Sequence, residues 1–424
     1  MKRVPAAAAA FALLGALAAA PARPKIDLQR LARLYESSRY FELRDALVPL
    51  QDDPSPDLEF FRGTVDQVFN RLGPAVVRLR RFLAAAENGP ARMLTKEAWV
   101  LLADAYRRLG RYRQAAAAFR TVLDRFGPVL DDDERSNFED QASLWASLAG
   151  VPPQSVEIAA DTAIRMTRRH IPVRVGRREF LVGYDTGANL SVLYESIAGE
   201  LGIPLHGPAI KVQTGTGRWV EGRAGVLPEM RFGSILIRHM VVLVLPDRLF
   251  PPAKDRSGVD RRGLLGAPVL EAFGEFTETA DGDFLVPARP HPRPTENMCF
   301  SGFMPVVEAV HRGTRVSLCL DTGATTTVLF LPFYNRHRGE INARSRTRDT
   351  TVGGIGASRT VTVRILDEFD FRAGGKDLAL RRVMVQTEET HLDTRYFHGT
   401  LGFDLLSHCS RMTLNFVSMS FILE

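Results

Sequence analysis

The sequence predicts a multidomain chain, an N-terminal all-α helical repeat followed by a C-terminal all-β region of two lobes. Three observations carry this reading. Apolar residues recur at three- and four-residue steps from about 27 to 150. After Gly150-Val151-Pro152-Pro153 the texture changes to short, alternating β-branched runs with glycine turns. Within that second region one acidic loop occurs twice at a fixed offset. The expected division is 1–22 as a leader, 23–150 as the helical part, 151–288 as the first lobe and 289–424 as the second.

Composition narrows the class of molecule. The chain has 424 residues, 45% hydrophobic and 25% charged, which excludes disordered and collagenous chains and leaves room for more than one core. Lys plus Arg number 55 against 49 for Asp plus Glu, a net charge of +6, or +4 without Lys2 and Arg3. That surplus is too small for a nucleic-acid footprint, and no nucleic-acid partner is expected. Three cysteines cannot build a disulfide framework; Cys299 and Cys409 are available to pair if the compartment is oxidising.

Met1-Lys2-Arg3, the uncharged Ala- and Leu-rich run over 5–20 and the small residues up to Ala22 have the three parts of a secretory signal. The protein is therefore expected to be exported, periplasmic or secreted, with cleavage after Ala22. An uncleaved N-terminal membrane tether is the alternative, since the run is near the lower limit for spanning a bilayer.

In the helical part the clearest unit is 95–128. Trp99, Leu102, Ala103 and Tyr106 mark one helix, Gly110 and Tyr112 the turn, and Ala115, Phe119 and Val122 the second helix. This spacing resembles the tetratricopeptide repeat, in which a small residue lets paired helices approach. Looser units span 31–50 and 58–83, and 132–149 reads as a capping helix. The resemblance implies a concave face for a peptide or protein partner; a packing platform without a ligand is the equal alternative.

In the β region Asp185-Thr186-Gly187-Ala188 and Asp321-Thr322-Gly323-Ala324 lie 136 positions apart. The same offset carries Gly263 and Gly266 onto Gly399 and Gly402, Gly217 onto Gly353, and Ser191 onto Thr327. This is an internal duplication, divided by the Pro-rich stretch 287–294. An Asp ending an apolar strand is delivered into a low-dielectric cleft, and the following Gly lets backbone N–H groups turn towards its carboxylate.

Residues 165–424 resemble the retropepsin-like aspartic proteases on these two motifs, their downstream glycine segments and Val352-Gly353-Gly354-Ile355-Gly356, which is similar to that family's flap tip. Thr214-Gly215-Thr216-Gly217 is a looser first flap. The resemblance implies a bilobal aspartic protease in a single chain, functional as a monomer. Asp185 and Asp321 would be the catalytic pair, supported by Thr186, Gly187, Ala188, Thr322, Gly323 and Ala324. Gly215, Gly217, Gly353, Gly354, Ile355 and Gly356 would close over a peptide or protein substrate. It also implies that no cofactor or metal is needed. The alternative of another class is an inactive retropepsin-fold adaptor that binds peptides.

Ala188 and Ala324 stand where a hydroxyl would favour the ionised carboxylate, so activity is expected at mildly acidic to near-neutral pH. Tyr184 and Trp219 read as core aromatics, with a cleft role as the alternative. Cys319, two residues before Asp321, shares its strand face and reads as a small buried residue or as a neighbour of a specificity pocket. The pairs Arg261 with Arg262 and Arg336 with Arg338, and the trio Arg344, Arg346 and Arg348, read as solvated loops. The nine histidines show no zinc-ligand spacing.

Overall fold

A computed structural model describes residues 26–86, 94–214, 218–250, 259–354, 357–389 and 393–424. The expected leader 1–22, with its signal or tether, and the flap residues Gly215, Gly217, Ile355 and Gly356 lie outside the described residues.

Among the described residues seven α-helices come first: α1 Leu28–Glu36, α2 Tyr40–Leu47, α3 Leu58–Val68, α4 Leu72–Ala85, α5 Thr95–Arg108, α6 Tyr112–Phe126 and α7 Asp132–Ser147. Three hairpins share one turn. Ser38, Asn70 and Gly110 each take a left-handed φ (52°, 61° and 67°), and each is followed by an arginine. The N–H groups of Arg39, Arg71 and Arg111 reach back five residues to the carbonyls of Leu34, Asp66 and Tyr106. This closes the end of the first helix of each pair, since its last carbonyls have no intrahelical donor. At Gly63 small size is required: a Cβ there would lie 2.9 Å from Leu79 Cγ on the partner helix. Asp131 and Glu134 form a reciprocal capping box at the start of α7.

Among the described residues, the strands that follow form three sheets. An eight-stranded sheet of the first lobe runs, in spatial order, Ser155–Ile158, Ile235–Leu245, Ser191–Tyr194, Arg261–Gly266, Arg178–Asp185, Ile171–Val175, Trp219–Phe232 and Leu205–Gln213. A second eight-stranded sheet holds the duplicated copy, from Met298–Ser301 to Ser345–Gly354. A five-stranded sheet joins the lobes, with Thr162–Arg165, Asp283–Val286 and Glu275–Thr279 from one and Arg411–Asn415 and Ser420–Leu423 from the other. In it Thr277 faces Thr413, its counterpart at the 136-residue offset, and their hydroxyls are 2.7 Å apart. A local two-fold axis therefore passes through this pair.

The duplicated glycines allow two chain crossings. In each lobe the Asp-bearing strand runs parallel to the glycine strand, which is antiparallel to the strand following the acidic loop. A Cβ on Gly263 would lie 2.1 Å from the Val192 carbonyl oxygen, and one on Gly399 2.6 Å from that of Val328. Neither backbone has room to yield. Gly263→Ala is accordingly expected to remove soluble folded protein, with loss of the near-UV circular dichroism of any material recovered.

The helices dock on both lobes. Arg108, its side chain 1% exposed, pairs with Glu271 at 3.0 Å, donates to Asn70 Oδ1 at 2.7 Å and lies over the Phe300 ring. Asn70 donates to the Phe416 carbonyl at 2.9 Å, and Arg71 pairs with Glu296 at 2.7 Å. On the other side Asp140 of α7 accepts from the Lys211 N–H at 3.3 Å, on the outer strand of the first-lobe hairpin.

Some expectations are corrected. Arg262 is no solvated loop residue: it lies buried in the strand Arg261–Gly266, bonded to Asp260 and Ser196. Arg336, Arg338 and Arg344 lie on the helix Leu331–Arg344, and Arg346 and Arg348 on the strand Ser345–Gly354. Cys299 and Cys409 do not pair; all three cysteines are buried and none is in a disulfide.

Candidate active site

The parallel pairing of Tyr184 with Leu265 and of Leu320 with Leu401 ends both Asp-bearing strands at the junction between the lobes. There the loops 185–188 and 321–324 lock together. Thr186 N–H donates to Thr322 Oγ1 at 3.0 Å, and Thr322 N–H donates to Thr186 Oγ1 at 3.0 Å. Thr186 Oγ1 also donates to the Leu320 carbonyl at 2.6 Å. Both threonines are buried, so each bond satisfies an amide that water cannot reach.

Each carboxylate is held by its own loop and pressed against the other. Asp185 Oδ1 accepts from Gly187 N–H at 2.7 Å; Asp321 Oδ1 accepts from Gly323 N–H at 2.8 Å and Ala324 N–H at 3.1 Å. A Cβ on Gly187 would lie 3.1 Å from Asp321 Oδ1, and one on Gly323 2.6 Å from Asp185 Oδ2. The glycines are thus required for close approach. Each carboxyl group thus lies against the opposite loop's glycine, and the charge of Asp321 opposes ionisation of Asp185, so the pair favours holding one proton.

Burial, then the charge of Asp321, pushes Asp185 up to about 8. Such a pair is able to hold one acid and one base together near neutral pH. The folded state binds the proton more tightly, so stability falls as pH rises from the ordinary value of 3.8 through about 8. Asp185→Asn is therefore expected to raise Tm by a few degrees at pH 8 and hardly at pH 4. Thermal melts of wild type and variant at both pH values check this.

Bonds to the glycine strands fix the loops. Ser191 Oγ accepts from Gly266 N–H at 3.0 Å, and Thr327 Oγ1 from Gly402 N–H at 3.2 Å. Ala188 and Ala324 carbonyls accept from the N–H groups of Ala267 and Phe403. The duplication kept Ser191 and Thr327 in step in the sequence, but only the structure shows their task. Asp404, which accepts both the N–H and the hydroxyl of Thr327 at 2.8 Å, and the pair Arg169 and Glu278 were missed altogether. Comparing the halves at the 136-residue offset was the available signal for the last two, since their counterparts are Pro305 and Leu414.

The remaining predicted residues are placed as follows. Gly353 and Gly354 pair with Ser358 and Ala357 at the end of the second-lobe hairpin Ser345–Gly354 and Ala357–Ala373. Trp219 is no core residue; it is exposed at the end of the first hairpin, opposite Gln213. Tyr184 is buried with its hydroxyl on Glu278. Cys319 is fully buried, which matches the small-core-residue reading.

Among the described residues one metal-compatible donor group stands out: His311, His337 and Glu340, with donor atoms within 4.8 Å of one another. Glu340 is already paired with Arg312 at 2.6 Å and Arg344 at 2.9 Å, and His311 Nδ1 lies 2.5 Å from the Asp370 carbonyl oxygen. Two guanidinium groups on the carboxylate do not suit a divalent cation.

Among curated proteins none matches the chain. Residues 171–269, which include the first acidic loop and Gly263 and Gly266, match the family described as Aspartyl protease, which supports an aspartyl protease domain over that stretch.

Proposed function

We propose that the chain is a single-chain aspartic endopeptidase that hydrolyses peptide bonds of exported proteins or peptides. The observation that carries this is the reciprocal threonine lock, which sets two acidic loops of one polypeptide face to face, each carboxylate against the other loop's glycine.

In the proposed reaction Asp185 carries the proton and Asp321 is ionised. Asp321 accepts a proton from a water molecule as its oxygen attacks the scissile carbonyl carbon. Asp185 gives its proton to the carbonyl oxygen, so the tetrahedral intermediate forms as a neutral gem-diol. Collapse of the intermediate breaks the C–N bond: the proton held by Asp321 passes to the leaving nitrogen while Asp185 takes a proton back from a gem-diol hydroxyl, which leaves a carboxylic acid and an amine and restores the starting pair. The second-lobe hairpin ending at Gly353 and Gly354 would lie along an extended substrate and pair with its backbone. The helices would deliver protein substrates or hold a partner.

A digest of a mixed peptide library by purified protein, with and without a pepstatin-like inhibitor, tests the reading. Inhibitor-sensitive internal cleavage is expected, while binding of peptides without any cleavage would favour an adaptor. Because Asp185 must keep its proton, hydrolysis is expected to persist at neutral pH and to fall as pH rises past about 8. A pH–rate profile peaking below about pH 3 would contradict this.

A further inference from the structure

Arg169, Tyr184 and Glu278 are polar and mutually bonded in the first lobe. At the 136-residue offset the second lobe has Pro305, Leu320 and Leu414, all apolar. The offset is structurally meaningful here, since Ile171 pairs with Val182 as Val307 pairs with Leu318. At these three positions the second lobe carries no charge, and there Pro305 lies in the strand Met304–His311 instead of a left-handed turn. A buried ionic cluster is costly to desolvate and is often replaced by apolar residues without loss of stability. Its presence on one side alone points to a task other than folding that lobe.

The contacts show where it acts. Glu278, its side chain 1% exposed, accepts from Arg169 Nε at 3.1 Å and from its terminal nitrogen at 3.3 Å, and also accepts from the Tyr184 hydroxyl. Arg168 and Arg169 both have left-handed φ, 49° and 62°, a strained backbone that turns the Arg169 side chain into this position. Its other terminal nitrogen crosses the lobe boundary and donates to the Thr322 carbonyl at 3.3 Å, while the guanidinium lies over the Phe403 ring. The Thr322 carbonyl belongs to the same peptide unit as the Gly323 N–H, which donates to Asp321 Oδ1 at 2.8 Å. A donor on the oxygen of an amide strengthens the N–H at its other end as a donor. Pro305, the counterpart of Arg169, offers the Thr186 carbonyl no such donor.

We infer that Arg169 is a positioning residue that breaks the symmetry of the two acidic loops: held by Glu278 and Tyr184, it fixes and polarises the Thr322–Gly323 peptide from the opposite lobe and so favours Asp321 as the ionised member and Asp185 as the proton carrier. The burial that raises Asp185 acts in the same direction. Arg169 and Glu278 together carry no net charge, so the bias reaches Asp321 through the aligned peptide rather than through a free cation. The assignment of roles rests on the hydrolase reading above; the fixing of the loop does not.

The test replaces the cluster by apolar residues on the pattern of the second lobe, as the triple variant Arg169→Met, Tyr184→Leu, Glu278→Leu, which leaves no unpaired buried charge. Full-length wild type and variant are compared in thermal stability, in kcat and KM on a cleaved peptide, and in amide hydrogen exchange of 321–330 against 185–194. The expected result is an unchanged or higher Tm, kcat lower by about tenfold or more with KM within about twofold, and faster exchange confined to 321–330. A folded variant with wild-type kcat and wild-type exchange overturns the inference. If the triple variant does not fold, Arg169→Lys gives the same readouts, because it keeps a cation beside Glu278 but loses the fork that also reaches Thr322. Faster exchange in 321–330 from a protein that cleaves nothing even as wild type would uphold the positioning role and remove the hydrolase reading.

Discussion

Asp185→Asn and Asp321→Asn are each expected to lower kcat by roughly 10³-fold or more, and the double variant to be no worse than either single one. The reason lies in the shared proton. One carboxyl must donate while the other accepts, and each is pressed against the opposite loop's glycine, so neither is able to take both parts. An Asn at 185 supplies a donor but cannot return a proton after transfer. An Asn at 321 cannot accept one from water. Substrate binding should survive, because the hairpin that would pair with the peptide backbone is untouched. Steady-state kinetics and peptide affinity measured on the same preparations check both halves. Full activity in either single variant would mean that the two loops do not form one site.

The second large effect is on the lock between the lobes. Thr186→Val and Thr322→Val change the same kind of side chain at related positions, yet they should not cost the same. Thr186 Oγ1 accepts from Thr322 N–H and donates to the Leu320 carbonyl, so its loss strands two buried backbone groups. Thr322 Oγ1 accepts from Thr186 N–H, so its loss strands that amide. An unsatisfied buried group costs about 1–3 kcal/mol. Thr186→Val is therefore expected to be the more destabilising by about one such group, and both variants should lose activity as the loops separate. Chemical denaturation of the two variants against wild type decides this; equal loss from both would show that the Leu320 bond contributes nothing.

Much of the fold was legible because its causes are local or periodic. The helical pairs follow from apolar spacing and, in the clearest unit, from the turn at Gly110; the left-handed turns at Ser38 and Asn70 came from the structure. The duplicated glycines were visible as a repeat, and the structure supplies the reason, two backbone crossings with no space for a Cβ. The readings that failed concern exposure and partners. Arg262 belongs to a strand between Asp260 and Ser196, and Trp219, expected in the core, ends a hairpin facing solvent. Cys299 and Cys409 looked pairable only because spacing along the chain carries no information on distance in space.

The two fold classes, the internal duplication and the pair of acidic loops are written along the linear chain, since strand alternation, helical period and a constant offset are properties of residues taken in order. Which side chains meet across the lobes is set by folding in space. The reciprocal bonds of Thr186 with Thr322, the reach of Arg169 to the Thr322 carbonyl, and the docking of Arg108 on Glu271 join segments more than 130 positions apart. Such contacts depend on how whole layers pack against each other, and packing is set by shape and burial summed over many residues rather than by any motif within one segment.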